Sequence, residues 1–359
     1  MVLIYTDKSH YVSESRRYLI DLLRPFIPRN RFKEFEIDDS IISLTIDIKK
    51  CHFVVLPMAW NYYLVSNQKS KALDLIQLAK LSNKKIIICN RGDYFYLLPN
   101  YENIIGFMYS AFQSKSNNLT FALPVIIRDP LLTYNKDEIT VRRFQETPTV
   151  GFCGQTDPSI LVSFFKSIKR MYQNFNYYRN LNGYFSDNVS PPTYMRKKIL
   201  DIIQSSPIIE SNFIRRNRYR GGKLKSKESL DKLRRQFFEN IEDSDYTICV
   251  RGTGNFSARL YETLAMGRIP IFINTDCILP FENVINWRNH VVWIEYDEVE
   301  QISDKIIKFH RSLSSMSFTK LQQDNRSLWE EYFKFSGFYN QFVNLLQKLN
   351  LKYVSQKTD

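Results

Sequence analysis

The chain has 359 residues, 44% of them hydrophobic and 14% aromatic, so it can bury more than one core and two domains are expected. No apolar run approaches the roughly 18 residues of a membrane-spanning helix, and the N-terminus lacks the pattern of a cleaved signal peptide. Scattered cysteines and dispersed histidines argue against a disulfide framework and a zinc site. We therefore expect a cytoplasmic protein.

The net charge of +13 is concentrated in one segment. Residues 166–235 carry 17 Lys and Arg against 5 Asp and Glu. Such a block can bind nucleic acid, an anionic membrane surface, an anionic acceptor or the phosphates of a nucleotide, or it can be a solvated basic face. Its densest part contains Arg215, Arg216, Arg218 and Arg220.

The first 145 residues show short apolar runs separated by helix-length segments, which favours a mainly parallel sheet covered by helices. Residues 67–81 place apolar side chains at the spacing of one helix face. The predicted strands are Val2–Tyr5, Phe53–Pro57, Lys85–Cys89 and Ile104–Tyr109, and a further helix is predicted over Ser13–Leu23.

The second half begins with a strand and glycine turn over Thr149–Gln155 and continues with helical patterns at 158–172, 193–204, 227–241 and 299–313. We predict an α/β fold of two Rossmann-like, doubly wound domains, with ligands at the carboxyl edges of the sheets. The predicted domains are residues 1–145 and 146–318, followed by a helical tail, residues 319–359, that packs back on the first domain.

The most specific motif occupies residues 246–274. Its pattern is strand, glycine loop, helix and strand, which brings a helix N-terminus to the carboxyl edge of a parallel sheet. The glycines allow close approach of backbone amides, and the helix end favours an anion. Because Arg251 and Arg259 flank this point, the pattern predicts a diphosphate site.

The order and spacing of these residues resemble the exostosin-like glycosyltransferases, family 47 of the usual classification, over about residues 150–313. The resemblance implies a GT-B architecture, with two Rossmann-like domains facing a central cleft and the sugar nucleotide held by the second. It also implies inverting transfer without an essential metal or cofactor. A bacterial-type enzyme of surface polysaccharide synthesis suits this chain better than the animal members do. The residues that carry the resemblance are Thr149–Gln155, Asp245–Val250, Arg251–Leu260, Glu262, Gly267–Pro270, Leu279–Phe281 and Asn286–Trp287.

The resemblance also implies roles for individual residues. Glu262 corresponds to the glutamate that binds the donor ribose in GT-B enzymes; the alternative is a solvated partner of the helix dipole. Arg259 and Arg251 would neutralise the diphosphate and the leaving nucleotide, although Arg259 can instead form a structural ion pair. The predicted nucleotide-sugar-binding residues are Gly154, Arg215, Arg216, Arg251, Gly252, Thr253, Gly254, Asn255, Ser257, Arg259 and Glu262, of which Asn255 and Ser257 can also cap the helix.

An inverting transferase needs a base for the acceptor's proton. Asp93, which follows the strand Lys85–Cys89, is our candidate, and Asp7 and His10 qualify similarly at the end of the first strand. Residues 243–245 spell D-x-D, but they precede a strand, so we predict a polar turn there and no metal site.

The sequence thus predicts an enzyme that moves a sugar from a nucleoside-diphosphate sugar to a glycan, a lipid-linked glycan or another hydroxyl acceptor. We expect no specific nucleic acid partner. Peripheral contact with the inner face of an anionic membrane is a further alternative. The alternatives are a nucleic-acid-binding protein using residues 166–235, which match no recognised motif, and a catalytically silent relative that binds a nucleotide. An oxidoreductase is disfavoured because Gly252-x-Gly254 lacks the third glycine of a dinucleotide fingerprint.

Overall fold

The computed structural model describes residues 1–134, 136–156, 160–179, 184–185, 191–217 and 226–355. The chain forms two compact units. The first unit comprises Met1–Pro124, Ile278–Pro280 and the chain from Lys334 onward; the second comprises Val125–Cys277 and Phe281–Phe333. Among the described residues, the helices are all too short or too polar to cross a membrane.

The first unit is built on a six-stranded sheet in which all neighbouring strands are parallel, in the order β2-β1-β3-β4-β6-β7. Its central strands are buried along their length because both faces are covered. The strands are β1 (Val2–Tyr5), β2 (Ile42–Leu44), β3 (Phe53–Val55), β4 (Lys85–Asn90), β5 (Phe95–Tyr96, outside this sheet), β6 (Ile104–Met108) and β7 (Thr120–Ala122); the helices are α1 (Trp60–Val65), α2 (Lys69–Leu81) and, from the C-terminal part, α10 (Phe335–Ser355).

One predicted helix of the first unit is wrong. Residues 13–23 form two short 3₁₀ segments, and Leu19 and Ile20 between them are extended. Leu19 forms an isolated bridge with Met58, and the buried Asp21 carboxylate receives the guanidinium groups of Arg24 and Arg91 at 2.9 and 3.2 Å. These tertiary contacts override the local helical pattern.

The second unit contains a five-stranded parallel sheet in the order β10-β8-β11-β12-β13. Its core is formed by apolar residues of these strands together with the inner faces of α5, α8 and α9. The strands are β8 (Thr149–Gln155), β9 (Tyr184–Phe185, outside this sheet), β10 (Glu210–Arg216), β11 (Tyr246–Cys249), β12 (Ile269–Asn274) and β13 (Val292–Glu295); the helices are α3 (Pro130–Thr133), α4 (Ile160–Tyr178), α5 (Pro192–Gln204), α6 (Lys227–Glu242), α7 (Ala258–Ala265), α8 (Ile302–Arg311) and α9 (Ser315–Tyr332).

The α/β class and the two Rossmann-like units predicted from the sequence are confirmed, and two such units are the domain composition of the GT-B fold. The sequence places the domain boundary at residues 145 and 146, whereas the compact units divide between Pro124 and Val125. Residues 125–145 group with the second unit because they pack on it: Arg142 Nε lies 2.6 Å from an Asp245 carboxylate oxygen, and Leu131 belongs to a buried cluster with Met266.

The predicted C-terminal tail is divided between the units. Helix α9 belongs to the second unit and α10 to the first. Within the first unit, the Tyr339 hydroxyl donates to the Leu22 carbonyl at 3.0 Å, and the rings of Phe342 and Phe107 lie 4.5 Å apart between centroids. The last helix therefore completes the core of the unit that contains the N-terminus.

A buried arginine fixes the segment between α7 and β12. Arg268 is 1% exposed, and its guanidinium donates to the carbonyls of Glu242 and Thr140 at 2.8 and 2.7 Å. Burial lowers its pKa to about 10. This arginine belongs to the family-like motif Gly267–Pro270, and its contacts show a structural role.

Candidate functional site

The candidate site lies at the carboxyl edge of the second sheet. Strand β11 ends at Cys249, a loop runs through residues 250–257, and α7 begins at Ala258. Because neighbouring strands are parallel, the ends of β8 and β10 lie at the same edge. Ligands of open α/β sheets bind at such edges.

The loop is braced from within by Arg251, a side chain that is 4% exposed. Its guanidinium donates to the Asn255 side-chain oxygen at 3.2 Å and to the Thr253 carbonyl at 2.9 Å. The Arg251 carbonyl in turn accepts from the guanidinium of Arg196, in α5, at 2.9 Å. Arg251 therefore holds the shape of the loop, and Arg196 is a supporting residue that the sequence motif does not include.

Asn255 ties the loop to the end of β12. Its Oδ1 accepts from the Thr275 hydroxyl at 2.7 Å, and its Nδ2 donates to the Asp276 carbonyl at 3.1 Å. Ser257 occupies the N-cap position of α7, but its hydroxyl makes no capping bond. The predicted capping function is thus absent for Ser257, while Asn255 anchors the loop instead.

The outer part of the loop is open. A Cβ added to Gly252 would have no heavy atom within 4 Å, and Thr253 is exposed, whereas Gly254 and Asn255 are buried. Residues 252–253 are therefore the part of the loop that a ligand can approach.

Arg259, in the first turn of α7, joins two strands of the sheet. Its guanidinium donates to the carbonyls of Ile248 at 3.1 Å and Cys153 at 2.7 Å and lies 4.2 Å from the centroid of the Phe152 ring. Its Nε is buried without a hydrogen-bond partner. Burial lowers the pKa of this guanidinium. A Cβ on Gly154 would come within 2.9 Å of its Nη2, so a larger residue there would require Arg259 to shift.

The two neighbouring arginines of β10 turn to different partners. Arg216 donates to Gln236 Oε1 at 2.8 Å and contributes, after burial, to the lowered pKa of Arg259. Arg215 contacts Asp201 Oδ1 at 2.6 Å and Gln204, in α5. Successive side chains of a strand point to opposite faces, so the structure brings Arg216, but not Arg215, to the side of Arg259.

Glu262 lies one turn into α7, with its side chain 13% exposed. One carboxylate oxygen is 3.8 Å from the guanidinium of Arg234, in α6. Like Arg196, Arg234 was not among the predicted site residues. Its position in the basic segment 166–235 was the one feature of the sequence that could have indicated it. We call Arg216, Arg234 and Arg259 the arginine cluster. Arg218 and Arg220, also singled out in the sequence, lie outside the described residues.

The D-x-D sequence forms a structural turn. The Asp245 carboxylate is 1% exposed, and it accepts from the Thr149 backbone amide at 2.8 Å and from Arg142 at 2.6 Å. Asp243 is the C-cap of α6. These contacts assign the predicted polar turn to the connection between α6 and β11.

The candidate bases lie at the carboxyl edge of the first sheet. Asp93 is exposed in the bend after β4. The Asp7 carboxylate accepts from the Ser9 amide at 2.9 Å and lies 3.6 Å from His10 Nε2. His10 Nδ1 is 2.9 Å from the Tyr63 hydroxyl, and burial lowers the pKa of His10. Of the three candidates, Asp93 is the most exposed residue and His10 the most buried.

Residues 136–308 match the family model described as Exostosin GT47 domain. This region includes the loop, α7 and the arginine cluster, so the predicted exostosin-like domain is confirmed for this part of the chain.

Sequence similarity to individual curated relatives is local. Exostosin-1 of Drosophila melanogaster is 30% identical over 93 residues, which are 26% of this chain and 12% of that protein. The protein of Oryza sativa subsp. japonica named probable glucuronosyltransferase GUT1 is 32% identical over 66 residues, 18% of this chain and 16% of that protein. The matched stretches are therefore less than a fifth of either relative's length. The structural alignment with a solved glycosyltransferase from Rickettsia africae ESF-5 covers 98% of this chain and 98% of that chain, with a TM-score of 0.36 and 10% sequence identity.

Proposed function

We propose that this chain, whose residues 136–308 form an exostosin GT47 domain, is an inverting glycosyltransferase that uses a nucleoside-diphosphate sugar. The observation that carries the proposal is the loop and first turn of α7, residues 251–262, at the carboxyl edge of the second sheet. The same sheet edge holds an exposed part of the loop, the arginine cluster and a carboxylate, the set of groups that a nucleoside diphosphate needs.

Each group has a proposed task. The loop surface at Gly252 and Thr253 receives the diphosphate, because a Cβ at Gly252 would meet no atom and Thr253 is exposed. The Gly252 amide itself already donates to the Phe256 carbonyl at 3.3 Å. Arg216 and Arg259 supply positive charge, and Arg259 brings a buried Nε–H without a protein partner. Glu262 accepts hydrogen bonds from the ribose hydroxyls. Arg251 and Asn255 are positioning residues that hold the loop.

Transfer is proposed to be a single displacement. The bond from the acceptor oxygen to the anomeric carbon forms as the bond from that carbon to the diphosphate oxygen breaks, and the acceptor's proton passes to a base. The arginine cluster offsets the charge that develops on the leaving diphosphate, which is why we propose transfer without a metal ion. Asp93, the exposed carboxylate after β4, is the proposed base.

The binding step is tested by calorimetry with UDP, GDP, CDP, CMP, TDP and NAD, each with and without manganese. UDP-glucuronate belongs in the transfer assay because a relative is named a glucuronosyltransferase. We expect metal-independent binding of one nucleoside diphosphate. Glu262→Gln should weaken it about tenfold or more, the loss of a charged hydrogen bond. Glu239→Gln, the same change at an exposed position of α6, is the matched control.

The outcomes separate the alternatives. Binding of NAD alone favours an oxidoreductase, and salt-sensitive binding of arbitrary oligonucleotides in place of nucleotides favours a nucleic-acid-binding protein. Nucleotide binding without transfer to any acceptor indicates a silent relative. We further propose a growing bacterial surface polysaccharide as the acceptor, and loss of that polymer on deletion of the gene is the corresponding test.

A further inference from the structure

Helix α4 of the second unit turns its apolar side outward. Six of its large apolar side chains recur at the spacing of one helix face. Each is between 48% and 67% exposed. The residues of this α4 apolar face are Phe164, Phe165, Ile168, Met171, Tyr172 and Phe175.

The opposite side of α4 faces the protein with two buried asparagines and one buried aromatic residue, Tyr177. Asn174 and Asn176 are 6% and 4% exposed, and the Gln173 side chain donates to the hydroxyl of Tyr184. A helix that covers a core presents its apolar stripe to the core and its polar residues to water. In α4 most of the large apolar side chains instead face water, and a contiguous apolar patch of this kind marks an interaction surface.

Positive charge borders the α4 apolar face. Residues 160–179 contain four Lys and Arg and no Asp or Glu. Lys169 is exposed, and the guanidinium of Arg179 lies 5.3 Å from the centroid of the Phe175 ring. Aromatic rings beside Lys and Arg match the boundary between the acyl chains and anionic head groups of a bilayer.

We propose that the α4 apolar face docks on an anionic phospholipid surface. The rings would enter the acyl boundary, while Lys169 and Arg179 would meet lipid phosphates. A second copy of the chain fits less well, because pairing through α4 would bring two basic helices without acidic partners together. Such docking would leave the protein at the bilayer surface, where lipid-linked molecules are within reach.

The test is flotation of the full chain, without nucleotide, with vesicles of phosphatidylcholine alone or mixed with phosphatidylglycerol. We expect binding to the mixed vesicles that weakens with added salt. Phe165→Gln combined with Met171→Gln should weaken it at least about tenfold, because two side chains no longer enter the apolar layer. Met316→Gln, the same change at an 81% exposed methionine of α9, should bind like wild type.

Further variants separate charge from apolar contact. Lys169→Gln with Arg179→Gln should reduce binding to the mixed vesicles more than to phosphatidylcholine alone. The tryptophan fluorescence of Phe165→Trp should show a blue-shifted component when the mixed vesicles are added. This signal does not depend on whether the Phe165→Gln and Met171→Gln double variant folds. Circular dichroism of each variant checks the fold.

Three results would overturn the proposal: wild-type protein that stays with the soluble fraction, equal loss of binding in Met316→Gln, or unchanged emission in Phe165→Trp. A concentration-dependent dimer that Met171→Gln abolishes, without vesicle binding, would assign the face to self-association instead. Because none of these measurements uses a nucleotide, they stand or fall separately from the transferase proposal.

Discussion

The pairing of Gly154 with Arg259 allows a sharp test of the candidate site. A methyl group at residue 154 would lie 2.9 Å from Arg259 Nη2 and 3.2 Å from a Phe152 ring carbon. The guanidinium is the end of a flexible side chain, but its bonds to the Cys153 and Ile248 carbonyls leave it little freedom. Gly154→Ala should therefore displace Arg259 and weaken at least one of those bonds.

The size of the effect follows from the nature of the bond. A hydrogen bond to a charged group contributes about 1.5–3 kcal/mol, so the free energy of unfolding should fall by about that amount. For a unit of this size each 1 kcal/mol lowers Tm by about 2–4 °C. If Arg259 also serves the diphosphate, nucleotide affinity should fall by roughly one to two orders of magnitude.

Gly252→Ala is the matched control, because the added methyl group meets no atom of the protein. It should leave Tm near the wild-type value and weaken only nucleotide binding, by obstructing the open loop. Differential scanning calorimetry and titration calorimetry measure the two quantities. A wild-type Tm for Gly154→Ala would refute the rigid placement of Arg259, and wild-type affinity for Gly252→Ala would refute the loop as the diphosphate site.

The other predictions concern structural residues. Arg268→Met should lower the free energy of unfolding, measured in urea, by about 2–4 kcal/mol, since it leaves buried carbonyls unsatisfied. The control Arg288→Met, at a 64% exposed side chain, should have little effect on the free energy of unfolding. Equal losses in the two variants would contradict this prediction. Burial, followed by the charge of Lys71, lowers the pKa of His10 in the folded protein. As the pH falls, His10 is therefore protonated in the unfolded chain before it is protonated in the folded protein. The stability that His10 contributes above about pH 6.5 is lost as the pH falls below that value. When the pH is lowered from about 7.5 to 5.5, the free energy of unfolding of His10→Gln should fall by less than that of the wild type. An identical pH dependence in the two proteins would show that other groups are responsible. Asp245→Asn should lower stability without making transfer sensitive to manganese; activity restored by manganese would revive a metal role for the D-x-D residues.

The sequence was informative where local chemistry decides the structure. The strand, glycine loop, helix and strand of residues 246–274 appear nearly as predicted, because glycines, apolar runs and helix spacing are local signals. The same holds for α2, whose buried residues Ala72, Leu75, Ile76 and Ala79 are those of the predicted face.

Contacts between residues that are far apart in the chain could not be predicted from the sequence. The pattern does not reveal that the guanidinium of Arg251 turns back onto its own loop, because an inward or outward side chain has the same neighbours in sequence. Likewise, the periodicity of α4 identifies an apolar face but not the direction in which it points. Arg196 and Arg234 joined the site only through folding, since each lies on a separate helix.

The division of the chain between its units has a consequence for biosynthesis. The six strands of the first sheet are made before the second unit, whereas α10, which supplies Phe342 against Phe107, is made after it. The second unit is almost continuous in sequence, from Val125 to Phe333. The second unit is therefore synthesised between the first sheet and the helix that completes the core of the first unit, so part of that apolar core stays uncovered until α10 has been made.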